Sequence, residues 1–212
     1  MMKNRRSFIV GLKTTILLDK EVKFLKRFKP WGVILFSRNI RSFNQTKKLT
    51  HNIKKIFKDK NYPILIDQEG GRVDRLNNLI NSSIFSGNYF GKLFREDKKK
   101  FNNYYYLFIK QTSYLLKNLG ININSVPVLD LKRKNAHNII GDRSFDSNPK
   151  IVSKIGDICI NLFHKNNIGT IIKHIPGHGL AKVDSHKLTP VISNKLSYLI
   201  DNDFYPFKKK KS

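Results

Sequence analysis

A chain of 212 residues with 40% hydrophobic and 11% aromatic side chains holds enough apolar material for one packed domain, which excludes a disordered polypeptide. No apolar run nears the roughly 20 residues that span a bilayer, and Ser7 to Leu12 is too short for a secretory signal, so the expectation is a chain with no membrane partner and a cytoplasmic address. The formal charge of +26 suggests nucleic acid, but the basic residues are spread along the whole chain amid abundant Asn, Ile and Phe, which makes that the lesser reading.

β-favouring apolar runs recur and alternate with longer helical patterns. Strands are predicted over Ser7–Leu12, Trp31–Phe36, Pro63–Asp67, Ile121–Asp130 and Gly169–His174. Helices are predicted over Phe43–Phe57, over Phe101–Leu119 with Gly120 as its stop, and over Pro149–Asn167 with proline in the first turn. Cys159, the lone cysteine, falls on an apolar stretch of the last helix and reads as a small buried hydrophobe. The closing lysines and Ser212, residues 208–212, read as a solvated basic tail. This β-α alternation predicts an α/β fold with right-handed crossovers. Periodicity leaves two architectures open, a (β/α) barrel and an open doubly wound sheet, since both gather their chemistry at the strand C-termini.

Polar residues do collect there. Ser37-Arg38-Asn39 follow the second strand, Asp67-Gln68-Glu69-Gly70-Gly71-Arg72 the third, Asp130 the fourth, and Lys173-His174 close the fifth. Asp67 can accept from paired sugar hydroxyls and Arg75 can present a planar fork of donors, so both read as ligand contacts. Glu69 and Arg72 read instead as members of an internal Arg–carboxylate network. Arg143, between Gly141 and Phe145, poses the same choice on its own.

The stretch "TIIKHIPGHGLAKVDSHKLTP" gathers three histidines, a lysine and an aspartate around a Pro-Gly-His-Gly turn. His174 and His178 have the spacing of a helical zinc pair, yet Pro176 and Gly177 lie between them, which disfavours a helix and hence a metal site. Asp184, two residues before His186, can orient the imidazole and stabilise its charged form, as a general acid/base requires.

The motifs "GVILFSRNI", "ILIDQEGGRVDRL", "PVLD", "IIGDRSF" and "KHIPGHGLAKVDSHKLTP" together resemble, in order, those of bacterial beta-N-acetylhexosaminidases of glycoside hydrolase family 3. The resemblance covers nearly the whole chain. It implies a (β/α) TIM-type barrel and removal of non-reducing terminal N-acetylglucosamine from peptidoglycan fragments during cell-wall recycling. It implies no metal and no organic cofactor. Carried over by position, Asp67, Arg75, Arg143, Lys173 and His174 would bind the terminal sugar, and His186 would serve as proton donor and acceptor with Asp184 tuning it. Within the motifs, Ile175 replaces a usual aromatic and Asp74 stands where Gln is frequent. A barrel of this type takes about 250 residues, and five strands are counted here. The chain is therefore expected to be the N-terminal part of a single barrel domain, with the nucleophilic aspartate of a retaining mechanism absent. Asp201 and Asp203 are not expected to replace that nucleophile. Either a complementary C-terminal fragment supplies it, or the chain is a non-catalytic sugar-binding remnant.

Overall fold

The computed structural model describes residues 4–134, 138–183 and 188–208. Five strands, β1 (Arg6–Gly11), β2 (Pro30–Leu35), β3 (Ile64–Ile66), β4 (Ile123–Asn124) and β5 (Gly169–Thr170), form one parallel sheet in the order β1-β2-β3-β4-β5. That order decides what periodicity left open. A doubly wound sheet reverses direction at a switch point, whereas strands added one after another by right-handed crossovers curl toward a barrel with the helices outside. The (β/α) barrel is thus present as five consecutive strands, open between β1 and β5.

Helices α1 (Asp19–Phe28), α2 (Phe43–Ile56), α3 (Gly87–Glu96), α4 (Lys98–Asn118) and α5 (Pro149–Lys165) supply the crossovers. The short α6 (Leu196–Asp201) and α7 (Tyr205–Lys208) follow β5. Side-chain caps start four of them: Ser42, Ser86, Asp97 and Asn148 accept backbone N–H bonds at α2, α3, α4 and α5. Pro149 opens α5, where its missing N–H has no helical partner to lose.

Register assigns the two faces. Ile34 pairs with Leu65, Leu65 with Ile123 and Ile123 with Gly169, so these positions share the inner face. Val33, Leu35, Ile64 and Ile66 face outward, into a core with Leu49 and Ile53 of α2 and with Phe90, Phe101, Tyr105, Ile109, Val152, Ile155 and Phe163. Cys159 is buried in that core, as its neighbours suggested. On the inner face Ile34 and Ile123 stay half-buried and Ile9 is exposed, because the sheet does not close over them.

Two sequence expectations require correction. The fourth and fifth strands are far shorter than Ile121–Asp130 and Gly169–His174. Pro127 has no N–H to donate and breaks the ladder, so after β4 and β5 only the Val128–Lys173 bridge continues it. Helices α1 and α3 were not anticipated. Lysine-rich α1 buries Leu25 alone, which is too faint an apolar stripe to read. In α3, Gly87 and Gly91 are poor helix formers, yet a Cβ at Gly91 would lie 1.6 Å from the Phe145 carbonyl oxygen and one at Gly87 2.2 Å from that of Arg143. Close approach of the segment carrying Arg143 dictates both glycines.

Candidate active site

The functional residues stand at the C-terminal ends of β3, β4 and β5. Beyond β3 the chain turns sharply at Gly70 (φ 86°) and Gly71 (φ 60°), and a Cβ at Gly70 would fall 2.3 Å from the Phe85 carbonyl oxygen. Buried Gln68 and Asp74 brace this turn. The Gln68 amide donates to Asp74 (2.9 Å) and Ser82 (3.1 Å), while its carbonyl accepts from the N–H of Arg75 (2.8 Å) and Leu76 (3.0 Å). Asp74 also accepts from the Ser82 N–H and hydroxyl, both at 2.8 Å. The residue that departs from the family's usual glutamine therefore shapes the loop.

Above this brace lies one continuous charge network. The Arg143 guanidinium donates to both oxygens of Glu69, at 2.8 Å each. Lys173 Nζ lies 2.5 Å from Glu69 Oε1 and 3.2 Å from Asp67 Oδ1. His174 faces both neighbours: its Nε2 is 3.4 Å from an Arg143 Nη2, and its Nδ1 is 2.5 Å from Asp130 Oδ2. Burial alone would raise the Glu69 pKa; hydrogen bonds and charge from Arg143 and Lys173 outweigh it and hold the carboxyl below its ordinary value. For Arg143 burial works against the charge, and Glu69 more than restores it, leaving the guanidinium above its ordinary value.

Asp67, Arg143, Lys173 and His174 are thus brought together. Glu69 and Arg72 behave as read from the sequence: Glu69 is the hub of the network, and Arg72 pairs with Asp142 at 2.9 Å and donates to the carbonyls of Asn138, Ile139 and Ile140. Arg75 stands apart. Its guanidinium carbon lies 5.8 Å from the Phe36 ring centroid, its Nε is buried with no hydrogen-bond partner, and no ion pair to a carboxylate is found for it among the described residues. Asp184 and His186 lie outside the described residues. His178 sits on the same turn as His174, with ring centroids 6.0 Å apart, and no group of three His, Cys, Asp or Glu placed to hold a metal ion occurs among the described residues.

Asp130 is the residue sequence reading left without a role. It is fully buried in the segment that follows β4: Oδ2 accepts the His174 N–H (3.2 Å) and lies 2.5 Å from His174 Nδ1, and Oδ1 accepts the His178 N–H (2.6 Å). A lone aspartate closing an apolar run was the available signal, but nothing in the string shows that the next strand delivers a histidine to it.

A (β/α) barrel with acidic and basic side chains converging on its C-terminal rim is an enzyme-type architecture that many chemistries share; the family is shown by the sequence, and the chain belongs to glycosyl hydrolase family 3: residues 13–210 match that family's N-terminal domain. It is 32% identical over 205 residues to a beta-hexosaminidase of Hydrogenovibrio crunogenus, covering 95% of this chain and 56% of that protein. A beta-hexosaminidase of Xanthomonas campestris pv. campestris is 29% identical over 199 residues, with 94% and 59% covered. Among solved structures, NagZ from Neisseria gonorrhoeae in complex with N-trifluoroacetyl-D-glucosamine superposes with a TM-score of 0.87 at 29% identity, covering 96% of this chain and 60% of that one. The chain therefore spans somewhat more than half the length of these relatives.

Proposed function

We propose that this chain forms the sugar-binding part of a beta-N-acetylhexosaminidase that removes non-reducing terminal N-acetylglucosamine from peptidoglycan-derived fragments in the cytoplasm. The observation that carries the reading is the Asp67–Lys173–Glu69–Arg143–His174–Asp130 network, assembled from three adjacent strand ends. Asp67, on the rim with a side chain 20% exposed, offers carboxylate oxygens to vicinal hydroxyls, and Lys173, Arg143 and His174 surround it with nitrogen groups. Arg75, with an unpaired buried Nε, adds a guanidinium held by no carboxylate among the described residues. In this reading His186 protonates the leaving oxygen, then deprotonates the attacking water, and Asp184 orients it. A retaining mechanism also needs a carboxylate nucleophile. Asp203 does not offer one, being buried and paired with Arg133 at 2.8 Å, so we place the nucleophile on a complementary segment that completes the barrel.

The test is direct. The purified chain should bind N-acetylglucosamine, and Asp67→Ala should weaken binding at least about tenfold, the loss of one charge-assisted hydrogen bond. Hydrolysis of a chromogenic N-acetylglucosaminide should appear only when the complementary segment is added, and His186→Ala should remove it. Turnover by this chain alone would refute the placement of the nucleophile; no binding would refute the sugar site. Binding that never becomes turnover, with any segment, would mark a non-catalytic sugar-binding protein, the second reading.

A further inference from the structure

We propose that Asp130 is a positioning residue that sets the tautomer of His174 and pins the turn from which the loop to His186 departs. The first half follows from donor arithmetic. Asp130 Oδ2 already accepts the His174 N–H and Oδ1 the His178 N–H, so this side chain serves as a carboxylate acceptor. At 2.5 Å from Oδ2, the His174 Nδ1 must therefore be the donor. The opposite side of the ring agrees independently. Nε2 faces an Arg143 nitrogen at 3.4 Å, and a guanidinium can only donate, so Nε2 keeps its lone pair. His174 thus turns the Nε2 lone pair toward Arg143, helping to hold that guanidinium at the pocket, and it does so because of the buried carboxylate on the other side of its ring.

The second half follows from placement. One carboxylate holds both ends of the His174–His178 turn, and the Gly177 N–H closes the turn on the His174 carbonyl at 2.7 Å. The turn is pressed against the chain just past Asp130: a Cβ at Gly179 would come 2.4 Å from the Leu131 carbonyl oxygen. The His174 ring and the root of the loop are accordingly tied to one side chain, fixed on the neighbouring strand by the Leu129 N–H bond to the Lys173 carbonyl (2.8 Å).

Asp130→Asn tests this, because its amide nitrogen cannot accept. With one oxygen for three donors, the amide turns a donor toward Nδ1 and drives the proton to Nε2, where it opposes Arg143. Long-range ¹H–¹⁵N correlation spectra of neutral imidazoles, with His174 identified by its absence in His174→Gln, read the tautomer directly. The expected result is Nδ1–H in the natural chain, Nε2–H in Asp130→Asn, and about tenfold weaker binding of N-acetylglucosamine by the variant. An Nε2–H natural chain, an unchanged tautomer in the variant, or a switched tautomer with unaltered binding would each overturn the proposal. Should the variant fail to fold, the tautomer of the natural chain still decides. The binding arm rests on the proposed sugar site, whereas the tautomer arm does not, so an absence of sugar binding would sink that site without sparing or condemning the assignment at His174, which the spectra judge alone.

Discussion

Glu69→Gln removes the hub of the charge network, and its cost can be worked from the contacts. Glu69, Arg143 and Lys173 are only 7%, 12% and 13% exposed at their side chains, so water offers little compensation for a lost partner. Glutamine keeps one acceptor oxygen for the three donor hydrogen bonds and ion contacts that two carboxylate oxygens now satisfy. Its amide group also points at a guanidinium that can only donate. Breaking a buried pair costs about 3–5 kcal/mol, and the surviving carbonyl contact brings the expectation to about 2–4 kcal/mol of unfolding free energy. The pH dependence supplies a second readout. Because the folded pKa of Glu69 lies below its ordinary value of 4.5, its contribution is present above that value and is lost as pH falls through the folded pKa. Urea unfolding followed by circular dichroism at neutral pH and at about pH 3 should therefore show the variant with a lower neutral stability and a shallower loss on acidification. A penalty under about 1 kcal/mol, or an acid slope equal to that of the natural chain, would refute the claim that Glu69 compensates the buried charges of Arg143 and Lys173.

Asp203→Asn should behave oppositely. Burial raises the Asp203 pKa, the nearby Asp130 adds to this, and Arg133 only partly offsets it. A carboxyl whose folded pKa is raised contributes most below its unfolded value and loses that contribution as pH rises through the folded pKa, so the variant should cost less than about 1 kcal/mol at neutral pH in the same urea assay. Gly91→Ala should be severe despite adding one methyl, since Phe145 backbone stands 1.6 Å from the new Cβ; a thermal midpoint within a few degrees of the natural chain would contradict the packing of α3 on the segment bearing Arg143. Arg72→Ala, which removes a half-exposed pair with Asp142 and three carbonyl contacts outside the network, should leave N-acetylglucosamine binding within about twofold by titration calorimetry.

What was legible in the chain follows from range. Ile64–Ile66 is buried throughout and Pro30–Leu35 at four of its six positions, so their apolar runs announce them, and α2, α4 and α5 carry apolar stripes between capping residues that a local reading can find. What failed is set by partners distant in sequence. Gly87 and Gly91 argue against a helix until the backbone at 143–145 is laid on it, and strand lengths beyond Asn124 and Thr170 depend on where Pro127 interrupts a ladder shared by two segments over forty residues apart. Asp67, Lys173 and His174 were visible as polar residues at strand ends and Arg143 as a lone arginine between Gly141 and Phe145, but which of them pair was not.

The same distinction separates the two halves of the site. The described half is neutralised internally: Glu69 answers Arg143 and Lys173, Asp67 answers Lys173, and Asp130 holds His174. Such a network is rigid before any ligand arrives, and rigidity fixes where hydroxyl groups can be received. The Gly177–Gly179 stretch adjoins this network, with a backbone at φ 131° at Gly177 that only glycine adopts readily and a root tied to Asp130. Asp130 joins the two, since the carboxylate that holds His174 in the network also holds the turn that runs from His174 to His178. Loosening the network at Glu69 and the turn at Asp130 should therefore fail in distinguishable ways, one in stability and its acid slope, the other in the tautomer of a single ring.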